Sequence, residues 1–255
     1  MELTGAVAVV TGGGTGIGAA IAEALARAGV AAVAVGYTRS VDDAAATAEL
    51  LRELGATGSE AVAVDVTDDA AVRQLAARLT ERHGRVDVLV NNAGTTVVSP
   101  FDDLDAVPDD AWDTVLDVNL IGAFRCARAF APQLRASHGA MVNIGSIAAH
   151  RAVGSSIVYG VSKAALAQLT RALARALAPQ VRVNSVSPGT VATRWQTGLH
   201  GEEGFAALAA AEREHAPLRA TPGPEHVAQA VTGLLAMDLV TGQDVVVDAG
   251  KWLLY

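Results

Sequence analysis

The chain has 255 residues, 51 % of them apolar, with a net charge of −8 and one cysteine. That length suits one α/β domain or at most two small ones, and the apolar share is enough for a large core. The acidic balance with scattered arginines argues against nucleic acid and anionic membranes as main partners, and the lone Cys126 excludes an intrachain disulfide or a cysteine metal cluster.

Short β-branched runs alternate with alanine-rich helical stretches. In chain order, strands are expected over 6–10, 32–36, 61–64, 86–90, 140–144, 181–186 and 245–247. Helices are expected between them, over 16–28, 42–54, 68–82, 110–136, 156–178 and 224–236. Strands that stay apolar throughout are buried on both faces. Their alternation with helices predicts an α/β fold, a doubly wound parallel sheet of about seven strands in one domain over 1–255. Residues 199–224 break this rhythm, with a short helix expected over 203–215, and read as a lid over a site. The histidines show no metal-type pairing, so no metal is expected. No apolar run approaches the ~20 residues of a membrane span, and residues 1–5 carry no basic segment, which predicts a cytoplasmic protein.

The first strand runs into Thr11-Gly12-Gly13-Gly14-Thr15-Gly16-Ile17-Gly18, which opens the first helix. Glycines there permit a tight turn and let backbone amides approach a pyrophosphate at the positive helix end. Gly12, Thr15, Gly16, Ile17 and Gly18 are the candidate contacts, spaced Gly-x-x-x-Gly-x-Gly rather than Gly-x-Gly-x-x-Gly. After the second strand, Tyr37 holds the place where an NAD site offers a carboxylate, and Arg39 and Ser40 follow. An arginine and a hydroxyl suit the 2′-phosphate of NADP(H), which is favoured over NAD(H). Asp42 and Asp43 just beyond could neutralise Arg39.

Only two lysines occur in the chain, Lys163 and Lys251. Lys163 follows Tyr159 at the i+4 spacing that puts both on one helix face. A compact ammonium beside a phenol favours the phenolate, which brings a tyrosine toward general acid–base work.

With these residues together the chain resembles the short-chain dehydrogenase/reductase family over nearly its whole length. In general look it is closest to the 3-oxoacyl-acyl-carrier-protein reductases. The resemblance implies a Rossmann-type domain in which residues 11–18 are the cofactor loop. Asp65 and Val66 match the pair that holds the adenine. Asn92, Ala93 and Gly94 match the Asn-Asn-Ala-Gly turn after the fourth strand. Pro188, Gly189, Val191 and Thr193 match the loop that contacts the nicotinamide amide, and Ala249 replaces a more usual glycine near the end. Asn119, Ser146, Tyr159 and Lys163 take the positions of the family's tetrad. The implied chemistry is hydride transfer between the cofactor and a ketone or secondary alcohol. Tyr159 would be the acid or base, and Ser146 would bind the same oxygen. Lys163 would hold the nicotinamide ribose and lower the Tyr159 pKa, and Asn119 would hold a water linking Lys163 to solvent.

Substrate contacts are expected at Val97, Ile147, Val153 and Trp195, with His150, Arg151 and Arg194 as possible polar contacts. A small carbonyl or alcohol is the expected partner; an acidic carrier would want a basic landing patch that a net acidic chain does not obviously offer. An NAD-dependent sugar or secondary-alcohol dehydrogenase is the alternative, and a cofactor-sensing protein without turnover is a further one. Two long alanine-rich helices, apolar on more than one face, imply contact with another subunit. The family resemblance implies a homotetramer, with the apolar end 252–255 near an interface.

Overall fold

Seven strands form one parallel sheet in the order β3-β2-β1-β4-β5-β6-β7, in a computed structural model that describes residues 1–254. They are β1 (Val7–Val10), β2 (Ala32–Tyr37), β3 (Glu60–Ala63), β4 (Val88–Asn91), β5 (Ala140–Ile144), β6 (Arg182–Pro188) and β7 (Asp244–Val247). β1 and β4 are buried at every position; β1 is apolar throughout, and β4 ends in Asn91, whose amide donates to Asn143 Oδ1 at 2.9 Å. One face of the sheet packs on α1 (Gly16–Arg27), α2 (Val41–Glu53) and α8 (Pro224–Ala236), through Ile21, Leu25, Leu51 and Val231. The other packs on α3 (Asp69–His83), α5 (Ala123–Ser137) and α6 (Ile157–Leu177), through Leu75, Leu79, Phe130 and Leu177. Cys126 is part of this second core, where burial pushes its thiol up to about 12.

The strand order reverses at β1 and β4, the switch point where a cleft opens beyond the strand ends. Side chains lock the two loops that flank it. Thr11 Oγ accepts from the backbone amides of Asn92 and Ala93, each at 3.0 Å. Asn92 Nδ2 donates in return to the carbonyls of Thr11 and Gly12, at 3.0 and 2.9 Å.

Two segments differ from the sequence expectation. The helix expected over 110–136 is α4 (Asp109–Leu116) and α5 joined by a π-helical turn, Asp117–Gly122. At Gly122 a Cβ would stand 2.6 Å from Val66 Cγ2, so only glycine lets this wider turn approach the end of the third strand. The helix expected over 203–215 is the second half of α7 (Arg194–His215), which begins just after Thr193 and is broken at Gly201, φ 71°. Ala249 sits at φ 59°, the left-handed conformation that explains why a glycine would be at home there. Tyr255, at the apolar end expected near an interface, lies outside the described residues. Among the described residues no helix is long and apolar enough to cross a membrane.

Candidate active site

A cavity of about 510 Å³ opens at the switch point. Its wall holds Gly12, Thr15, Gly16 and Ile17 from the first loop, Arg39 and Ser40 beyond β2, and Asn92, Ala93 and Gly94 beyond β4. Ser146, Tyr159, Lys163, Pro188, Gly189, Val191 and Thr193 complete it. The loop packs too closely beneath the cavity for side chains: a Cβ at Gly13 would lie 2.9 Å from the Val10 carbonyl, and one at Gly14 3.0 Å from Ala44. These glycines and the start of α1 suit a dinucleotide pyrophosphate, so the residues present fit the group the sequence suggested.

Three of the expected cofactor residues stand outside this wall. Gly18 faces the helix–loop contact, where a Cβ would come within 2.2 Å of the Gly12 carbonyl. Its glycine is needed for packing. Asp65 accepts from the Thr67 amide and hydroxyl at 2.9 and 2.7 Å, and Val66 packs against Gly122. At the rim, Asp43 pairs with Arg194 at 2.7 Å rather than neutralising Arg39. Among the described residues no ion pair engages Arg39.

The Ser156 hydroxyl accepts from the Tyr159 amide at 3.3 Å and so starts α6, the helix that carries Tyr159 and Lys163. Ser146 follows β5. Its hydroxyl accepts from the Ala148 amide at 3.2 Å, and Ser146 lines the cavity together with Tyr159. Lys163 is only 5 % exposed; its Nζ donates to the Ile144 carbonyl at 2.8 Å and stands 5.7 Å from the centre of the Tyr159 ring. Burial pulls its pKa down to about 8. The expected lowering of the Tyr159 pKa is not found. Burial of the phenol raises it, and the nearby Ser146 hydroxyl opposes this more weakly.

Asn119 lies in the π-helical turn, fully buried. Its amide pairs both ways with the Thr95 backbone, accepting from the Thr95 amide at 2.8 Å and donating to its carbonyl at 2.9 Å. It also donates to Ser162 Oγ at 3.0 Å, one residue before Lys163. The side chain thus ties the Asn92–Gly94 turn to α6. Any water it holds would use the one lone pair left on its oxygen.

Of the expected substrate residues, Trp195 lines the cavity, while Val97, Ile147 and Val153 stand outside its wall. His150 and Arg151 are engaged away from it. His150 Nε2 lies 2.5 Å from Asp244 Oδ2, and Arg151 donates to the Trp252 carbonyl at 2.6 Å. Asp244 also accepts from Ser185 and Ser187, so the segment after Ser146 is tethered to β6 and β7. A second tether joins Glu212 of α7 to Thr190 at 2.9 Å and to Lys251. Sequence reading missed both clusters. Their only signal was a lysine kept at 251 in a chain that otherwise favours arginine.

Residues 12–251 match the family model described as Enoyl-(Acyl carrier protein) reductase. The chain is 42 % identical over 249 residues to ketoacyl reductase 2 of the granaticin polyketide synthase of Streptomyces violaceoruber, covering 97 % of this chain and 96 % of that protein. It is 31 % identical over 257 residues to the 3-oxoacyl-[acyl-carrier-protein] reductase of Escherichia coli K12, covering 99 % of this chain and all of that one. A crystal structure of a short-chain type dehydrogenase/reductase from Mycobacterium marinum superposes with a TM-score of 0.86 at 32 % identity, covering 98 % of this chain and 96 % of that one.

Proposed function

The chain belongs to the short-chain dehydrogenase/reductase family of oxidoreductases, and from that premise we propose that it reduces a ketone with NADPH, with Asn119, Ser146, Tyr159 and Lys163 as its working residues. The observation that carries this reading is that Ser146 and Tyr159 share the cavity wall, one helical turn from a buried Lys163. Two hydroxyls on the wall of one cavity can both donate to a carbonyl oxygen placed between them. When bound, the nicotinamide supplies the hydride to the carbonyl carbon. Tyr159 gives its proton to the carbonyl oxygen, and burial keeps that proton on the phenol until it is needed. Ser146 donates a second hydrogen bond to the same oxygen and stabilises the charge that develops there. Lys163 keeps one donor on Ile144 and turns the others toward the ribose and the phenol. Asn119 fixes the neighbouring turn.

Arg39 and Ser40 in the wall, with no carboxylate at Tyr37, support NADP(H) as the cofactor. The two ketoacyl reductase relatives support a 3-oxoacyl or polyketide carbonyl as substrate. We further propose self-association through α5 and α6, supported by the exposed apolar side chains Phe124 and Val161 and by Ile121 just before α5. The functional reading is tested by assaying short 3-oxoacyl thioesters, cyclic ketones and sugars with NADPH and with NADH. Turnover of a ketone with NADPH is expected. Oxidation of sugars with NAD and inertness toward ketones would replace this reading with the sugar dehydrogenase one.

A further inference from the structure

The glycine loop lies between the starts of two helices. On one side it meets α2, where Gly14 abuts Ala44 and Thr47 Oγ donates to the Gly14 carbonyl at 3.2 Å. On the other, a Cβ at Gly16 would stand 3.4 Å from Thr193 Cγ2, just before α7. Asp43 precedes Ala44 and Arg194 follows Thr193. The two close over the loop through Arg194 Nη2 donating to Asp43 Oδ2 at 2.7 Å. Arg194 also lines the cavity together with Gly14, Thr15 and Gly16. An arginine of the cavity wall, next to the residue that packs on Gly16, is therefore held by a carboxylate of α2.

We propose that Arg194 is an exchangeable anion contact of the dinucleotide cleft, parked on Asp43 and released to the pyrophosphate when the cofactor binds. The inference rests on the nicotinamide-dinucleotide reading above. Magnitudes set the direction of exchange. The Arg194 and Asp43 side chains are 69 % and 41 % exposed, and exposed ion pairs contribute ~0–1 kcal/mol. A charge-assisted bond to a phosphate oxygen contributes ~1.5–3 kcal/mol. The pyrophosphate therefore outcompetes Asp43, and because Arg194 sits in the first turn of α7, the exchange reports anion binding to the lid helix. The assignment is to the pyrophosphate and not the 2′-phosphate, since Arg194 follows Thr193, which packs on Gly16, while Arg39 lies just beyond β2.

The test measures equilibrium binding of NADPH, NADH and adenosine 2′-phosphate by calorimetry, without substrate. Arg194→Ala is expected to weaken NADPH and NADH alike, by roughly 2- to 80-fold, the phosphate bond less the ion pair given up, and to leave adenosine 2′-phosphate unchanged. Asp43→Asn is expected to tighten both dinucleotides by about 2- to 5-fold, and to do so only while Arg194 is present. Opposite signs from the two halves of one ion pair are the signature of competition. Weakening by both variants would make the pair a structural strap and overturn the inference. Loss of NADPH alone would move Arg194 to the 2′-phosphate and overturn it too. Equal tightening by Asp43→Asn with and without Arg194 would reduce Asp43 to a general repulsive charge, again overturning it. Wild-type protein that binds neither dinucleotide would overturn the proposed function itself.

Discussion

Lys163 spends one ammonium donor on the main-chain carbonyl of Ile144, 2.8 Å away at the end of β5. That bond holds the cation at the end of β5 beside the Tyr159 ring, a placement made for a compact ammonium that a planar guanidinium does not reproduce. Tyr159→Phe should cut turnover by at least ~100-fold with dinucleotide binding nearly intact, because it removes the proton and keeps the ring. Lys163→Arg should fail as well despite its charge. Steady-state kinetics with parallel cofactor titrations check both, and near-normal turnover by either variant removes these residues from the chemistry.

Stability should depend on pH through the same pair. In the unfolded chain Lys163 keeps its proton up to 10.5, but in the fold only to about 8. Between those values the unfolded state binds more protons, so Lys163 makes stability rise with pH across that window. Its cost is felt in full below about pH 8. Tyr159 acts in the opposite sense above 10, where its buried phenol stays protonated after the unfolded one has ionised. Denaturant melts of wild type and Lys163→Met at about pH 7.5 and 9.5 isolate the lysine. Lys163→Met should be the more stable at the lower pH, by a margin that narrows at the higher. A constant margin contradicts the assignment.

Cofactor choice should turn on Arg39. Its loss in Arg39→Ala should weaken NADPH by roughly 10- to 150-fold and leave NADH nearly unchanged. Tyr37→Asp should reverse the preference through repulsion of the 2′-phosphate and a new ribose bond. Wild-type preference for NADH, read from the two dissociation constants, would discard NADP(H) as the cofactor.

The lid should move in its first half. Glu212 bonds to Thr190 and Lys251, which fastens the second half of α7 to the loop after β6, while Gly201 breaks the helix. Amide exchange without ligand should be fastest over 194–201 and slow on adding cofactor and substrate. Glu212→Ala should extend fast exchange into 203–215 and raise KM more than it lowers kcat. Exchange across 194–201 as slow as in the central strands would contradict a moving lid.

Assembly should respond to Phe124. It is 40 % exposed on α5, with the Arg128 guanidinium 5.5 Å from its ring. Light scattering at micromolar concentration should give a multimer for wild type and a smaller species for Phe124→Asp. A wild-type monomer would refute association through this face, and a dimer would reject only the tetramer.

The sheet was legible because strands buried on both faces run apolar, so 6–10 and 32–36 stand out without any partner being known. The glycine loop and the Tyr159–Lys163 pair were legible because each works through spacing along one element. The π-helical turn was not. Hydrophobic periodicity runs on through 117–122, and only the Thr95 backbone, far off in sequence, shows why Asn119 needs a wider turn. The start of α7 was hidden because Gly198, Gly201 and Gly204 interrupt it and only Ala209 is fully buried, leaving no stripe to read. Ion pairs such as Asp43–Arg194 join residues 151 apart, and no local pattern records which carboxylate an arginine finds.

The wide turn at 117–122 holds one more residue than an α-helical turn of the same rise. Deleting Val118 would let α4 and α5 run on as one regular helix with better hydrogen-bond geometry. It would also rotate Asn119 away from Thr95 by about 100°, the angle of one helical residue. The shortened protein should be the better helix and the poorer catalyst. The extra residue is thus what lets α4 and α5 both keep their buried faces on the core while Asn119 meets Thr95.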